Sequence, residues 1–86
     1  ATRVPFEMTM QIMWDVLDDL LLVSDEAITT AIQLLARHAR QVAEGAGAAA
    51  LAGALQMKEE LAGKRVVGIL SGGNLPLDRY AAILTG

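Results

Sequence analysis

At 86 residues, with net charge −3 and pI about 4.9, the chain is long enough for one small domain and carries no basic run of the kind that binds nucleic acid. It is 53% hydrophobic, with mean hydropathy +0.40, yet has only one Phe, one Trp and one Tyr, so its apolar content is aliphatic. Zero cysteines exclude a disulfide framework and a thiolate metal site, and fit a cytoplasmic protein. No apolar run approaches the ~20 residues of a membrane span. The N-terminus lacks both the pattern of a signal peptide and a starting Met, so the expectation is a chain that begins mid-protein. A domain this small buries only somewhat over ~60% of its unfolded surface. So much aliphatic surface therefore predicts exposed apolar faces, as in a homo-oligomer or a piece of something larger.

Residues 1–8 read as an extended lead-in, with Pro5 holding its predecessor out of helix. Thr9 is placed to cap a helix whose Met10, Met13, Trp14 and Leu17 recur at i, i+3, i+4 and i+7. The methionines there read as core filler. Asp18 and Asp19 end the element; adjacent carboxylates do not share a helix face, so they read as solvated turn residues rather than an acid–base pair. Residues 20–23 are a continuous apolar run, the pattern of a fully buried strand. Ser24 caps the next helix, with Asp25 and Glu26 where the helix dipole favours negative charge. Ile28, Ala31, Ile32, Leu35, Ala39 and Val42 form its apolar stripe, and Arg37 and Arg40 fall near its C-terminal end. His38, the single histidine, lies at the edge of that stripe with no partner nearby in sequence; it reads as a partly exposed helix residue rather than a base.

The stretch EGAGAAALAGAL, 44–55, predicts a helix starting near Gly47 and packing closely on a neighbour, because alanine favours helix and small residues allow close approach. Glu44 precedes that start, and two roles compete for it: a capping or surface carboxylate, or a site carboxylate aimed at a ligand. After a charged connection through Lys58, Glu59, Glu60 and the Ala62-Gly63 turn, VVGILSGGN, 66–74, reads as a buried strand running into a glycine-rich turn. Pro76 then opens a last helix with Leu77, Tyr80, Ala81 and Leu84 on one face. Ligands bind beyond the carboxyl ends of strands in open α/β sheets, where glycines admit a close backbone approach. Both strands are continuous apolar runs rather than alternating ones, as in parallel strands covered on both faces. The expected architecture is α/β: a helix-rich unit with two short parallel strands. Two strands alone make no doubly covered sheet, so further strands are expected outside this sequence.

VSDEAI, EGAGAAALAGAL and GKRVVGILSGGN, in this order and spacing, resemble the C-terminal stretch of the pyridoxal-phosphate-dependent threonine dehydratases, the branch that includes serine racemase and hydroxyaspartate dehydratase. The resemblance covers essentially the whole chain. It implies that residues 1–86 are a single partial domain, the C-terminal part of a large cofactor-binding domain of the tryptophan-synthase-beta-like type. It implies pyridoxal 5′-phosphate as cofactor, with the Ser71 hydroxyl at the pyridine nitrogen, Gly72 (with Gly73) letting the backbone pass close to the ring, and Glu44 near the ring. The implied reaction is α,β-elimination from threonine or serine, giving a 2-oxo acid and ammonia.

The sequence departs from that family's pattern in two places. The motif with the lysine that anchors the cofactor is absent; Lys58 and Lys64, the only lysines, lie in charged connecting segments. The glycine-rich loop that cradles the cofactor phosphate is absent as well. The expectation is one wall of a site, inactive alone, whose partner is the remainder of a parent enzyme or another copy of the chain. A non-catalytic α/β interaction module that associates through its apolar face is the alternative. A stand-alone phosphate or nucleotide binder is a third reading, and SGGN lacks the lysine and the glycine spacing that either use requires.

Overall fold

A computed structural model describes residues 6–86. The expected role of Pro5 falls outside them. The helices are α1 (Glu7–Val16), α2 (Asp25–Leu34), α3 (Gly45–Gln56), α4 (Lys58–Leu61) and α5 (Leu77–Thr85), and α2 continues into a π-helical turn, Leu35–Ala39. The core lies where α2 packs against α3, with α5 on its flank.

Ser24 does cap α2: its hydroxyl accepts from the Ala27 N–H at 3.1 Å, and Asp25 and Glu26 occupy the first turn. Ala31 and Ile32 from α2 meet Ala48 and Ala52 from α3, and all four are buried together with Ala43. Four of these five core residues are alanines, so the two helices approach closely with little side-chain volume between them. Tyr80 and Ile83 of α5 pack on this cluster. Gln33 on α2 ties that helix down by donating to the Ile83 carbonyl at 2.8 Å. The inward face of α5 is thus Tyr80, Ile83 and Leu84, whereas Leu77 and Ala81 are exposed. The face is turned from the expected one because α2 approaches α5 at Ile83.

Several expectations about element ends are corrected. α1 starts one turn before Thr9: Phe6 is its N-cap, the Met10 N–H reaches the Phe6 carbonyl at 3.0 Å, and Glu7 sits in the first turn, where negative charge is favoured. Its apolar stripe fills no core. Met10, Met13, Trp14 and Leu17 line an open trough of about 290 Å³, and Trp14 is 78% exposed. The α2 stripe stops short of Val42, because Arg40 adopts a left-handed conformation (φ 56°) and the N–H of Gln41 turns back to the Leu35 carbonyl at 3.0 Å. Ala39 and Val42 are therefore exposed. His38 is exposed on the π-helical turn, in line with its reading as a surface residue.

The two expected parallel strands do not form. Residues 20–23 and 66–70 are irregular, and among the described residues no strand is present. Nor are the runs buried: Leu22 is 85% exposed and Val67 89%. A strand persists only where a neighbouring strand takes its N–H and C=O groups, and among the described residues no backbone hydrogen bond links either run to such a neighbour. The Cα radius of gyration, 14.3 Å, exceeds the ~12 Å of a compact domain of this length, consistent with an open, one-sided packing.

Candidate functional site

The site is built where the start of α3 meets the SGGN turn. Glu44 is the N-cap of α3, in extended conformation, and its carbonyl accepts the Ala48 N–H at 2.9 Å. Its side chain makes no capping hydrogen bond. Its own N–H instead donates to the Gly72 carbonyl at 3.1 Å, joining two segments 28 residues apart (72 − 44). The half-buried Glu44 carboxylate turns toward Gly72, and a Cβ on Gly72 would collide with its Oε1. On the next residue, a Cβ on Gly73 would strike the Val42 carbonyl oxygen. From the helix side, a Cβ on buried Gly47 would overlap the Gly72 carbonyl oxygen and lie 3.1 Å from its nitrogen. Two of these glycines, Gly47 and Gly73, are therefore required by close backbone approach and Gly72 faces a side chain, and none of the three owes its place to positive φ: among the described glycines only Gly63 has one, at 76°.

The run that leads into this turn lies along the other side of α3. Gly47, Ala50, Leu51 and Ala54 recur at i, i+3, i+4 and i+7, and residues 66–70 pass over that stripe, with the Cβ position of Gly68 at 3.4 Å from the Ala50 methyl. An apolar groove of about 400 Å³ remains between the stripe and the run. Ser71 stands at the end of the run, exposed, and among the described residues its hydroxyl makes no hydrogen bond.

The matched family model, described as pyridoxal-phosphate dependent enzyme, covers residues 1–72, including α3, the 66–70 run and the first two residues of the turn. The chain belongs to this pyridoxal-phosphate-dependent enzyme family. It is 42% identical over 80 residues to L-threo-3-hydroxyaspartate ammonia-lyase of Saccharomyces cerevisiae, an overlap of 93% of this chain and 24% of that protein. To the L-threonine dehydratase catabolic TdcB of Staphylococcus aureus it is 39% identical over 85 residues, or 95% of this chain and 25% of the relative. To serine racemase of Schizosaccharomyces pombe it is 39% identical over 77 residues, or 90% and 24%. The chain thus spans about a quarter of the length of the curated relatives it matches. Family membership carries pyridoxal phosphate as the cofactor and the family's cofactor-binding fold, of which the described residues supply a helical part.

By chemistry, the side chains at this turn are of a kind that suits one side of such a cofactor. A Ser71 hydroxyl and a Glu44 carboxylate, neither of which makes a hydrogen bond among the described residues, and a glycine turn are gathered at the end of an apolar run. A covalent anchor is not among them: Lys58 and Lys64 are both exposed, the first on α4 and the second after the Gly63 turn. Among the described residues no group of three or more His, Asp or Glu side chains could hold a metal ion, and no helix is long and apolar enough to cross a membrane. Sequence reasoning singled out Glu44, Ser71 and Gly72 but passed over Gly47, which it treated as a helix start. The signal was present in the GAG spacing after Glu44, where the second glycine interrupts an alanine run that would make a better helix without it.

Proposed function

We propose that the chain supplies the pyridine-nitrogen side of the cofactor site in a cytoplasmic threonine or serine dehydratase, and is inactive without the remainder of that enzyme. The observation that carries this reading is the seating of the SGGN turn on Glu44 through the 3.1 Å bond from the Glu44 N–H to the Gly72 carbonyl. The similarity to two ammonia-lyases or dehydratases and a racemase supports the substrate class, an amino acid with a β-hydroxyl. When bound, pyridoxal phosphate supplies an electron sink for the pair left on the α carbon of the substrate. Ser71 offers the ring nitrogen a neutral hydroxyl rather than a carboxylate, a mild setting suited to a substrate whose β-hydroxyl leaves readily. Glu44, held at the head of α3, supports the turn from beneath. In this reading residues 1–86 are one partial domain, whose partner is the rest of the enzyme, itself a homo-oligomer.

The test is to incubate the purified chain with pyridoxal phosphate, reduce with borohydride and measure intact mass alongside threonine turnover. No stoichiometric adduct and no 2-oxo acid are expected. An adduct at Lys58 or Lys64 together with turnover would overturn the reading and make the chain an enzyme in its own right. The exposure of Leu22 and Val67 also favours a second reading, an interaction module without catalytic use. It predicts self-association of the chain, and no effect of Ser71→Ala on cofactor binding once the longer protein is assembled.

A further inference from the structure

We propose that Gly47 is a positioning residue for Ser71: its bare α carbon sets the depth at which the SGGN turn seats on α3, and so where the Ser71 hydroxyl stands. This rests on the reading of Ser71 as the residue facing the cofactor nitrogen.

The Gly72 carbonyl is held from two directions. The Glu44 N–H donates to it at 3.1 Å, and the α carbon of Gly47 lies so close that a methyl there would overlap the carbonyl oxygen and sit 3.2 Å from the carbonyl carbon. On the far side of the turn, the Val42 carbonyl occupies the space a Gly73 side chain would need. The atoms Gly47 meets are backbone, and no side-chain rotation relieves the overlap. A methyl at position 47 must therefore lift the turn or push α3 back onto α2. The second route drives Ala48 and Ala52, both buried against α2, into that helix, at the cost that overpacking a close-packed core carries. The turn lifts instead, and Ser71, one rigid peptide unit from Gly72, moves with it. A displacement of about 1 Å costs on the order of 100-fold where a group must meet its partner in a fixed geometry. Helix propensity runs the other way: in an exposed helix Gly→Ala would be favourable by about 1 kcal/mol. Glycine at 47 is thus kept for the contact and not for the helix.

The test uses the longer cofactor-loaded protein that contains this chain, and follows the cofactor absorption spectrum and its dissociation constant. Ser71→Ala is measured first. If it moves neither quantity, the assignment of Ser71 to the cofactor fails, whatever Gly47 does. If it moves them, Gly47→Ala is expected to reproduce the spectral change and weaken cofactor binding by at least about tenfold, with the double variant no worse than the more affected single one. Gly53→Ala on the same helix, where a methyl meets only the Leu21 side chain at 3.5 Å, is expected to leave the spectrum unchanged. Ser71→Ala with an effect and Gly47→Ala without one would overturn the proposal. Should Gly47→Ala fail to fold, hydrogen exchange on the unmodified protein decides. The Glu44 amide must be protected about tenfold or more relative to exposed backbone, and exchange at the exposed rate overturns the seating on which the proposal depends.

Discussion

The two faces of α3 show what a helix of small residues can do with and without a partner. One face closes on α2: Ala48 is 0% exposed and Ala52 1%, and the contact requires nothing larger than a methyl. The other face carries Gly47, Ala50 and Ala54 beneath the 66–70 run, and there an apolar groove stays open and Val67 is 89% exposed. Composition is nearly the same on the two sides. What differs is that α2 is a finished element, its own hydrogen bonds internally satisfied, whereas a lone extended run needs a lateral neighbour to become a strand. Small side chains permit close packing, and the state of the neighbour decides whether it occurs.

The largest expected effect breaks the closed face. Ala48→Leu inserts three extra carbons into the buried α2–α3 contact and is expected to cost roughly 1–3 kcal/mol or more, read as a lower midpoint in chemical denaturation. An unchanged midpoint would show that α2 and α3 are not in close contact. Next, Ser24→Ala removes the acceptor for the Ala27 N–H and should cost about 1 kcal/mol in the same assay, because α2 is the element against which both α3 and α5 pack. The smallest effect belongs to the open face. Val67→Thr is expected to change the stability of this chain by less than about 0.5 kcal/mol, as an exposed substitution does. The same change in the longer protein should cost roughly 1–2 kcal/mol if the run becomes a covered strand there, so the difference between the two measurements sharpens the contrast directly.

Much of the local structure was legible. The Ser24 cap, the helix expected from near Gly47 and found over Gly45–Gln56, and the turn at Gly63 follow from residue chemistry within a few positions, because caps, alanine runs and glycine turns act through neighbours in sequence. The strand reading of 20–23 and 66–70 went astray for the opposite reason: an apolar run states a preference for burial but does not supply the edge that satisfies its backbone. The trough beside Trp14 is the same lesson on a helix, since the spacing of Met10, Met13, Trp14 and Leu17 marks a face without naming what covers it. Within the candidate site, Glu44, Ser71 and Gly72 were identifiable from motif resemblance, and the structure brings Glu44 and Gly72 into direct contact. The reason for the glycines was not legible. Gly72 and Gly73 were expected to leave room for a cofactor ring, and among the described residues their empty Cβ positions face Glu44 and the Val42 carbonyl.

By itself the sequence determined that helices lie in these stretches, with the Ser24 cap placed to the residue, which blocks carry the family's pattern and which chemistry-bearing side chains are available, since each of these depends on residues a few positions apart. Only the tertiary structure decided that the turn at 71–74 rests on the first turn of α3 and that Gly47 makes room for it. That contact joins segments 25 residues apart (72 − 47), and a clash between a missing Cβ and a distant carbonyl leaves no trace in local spacing.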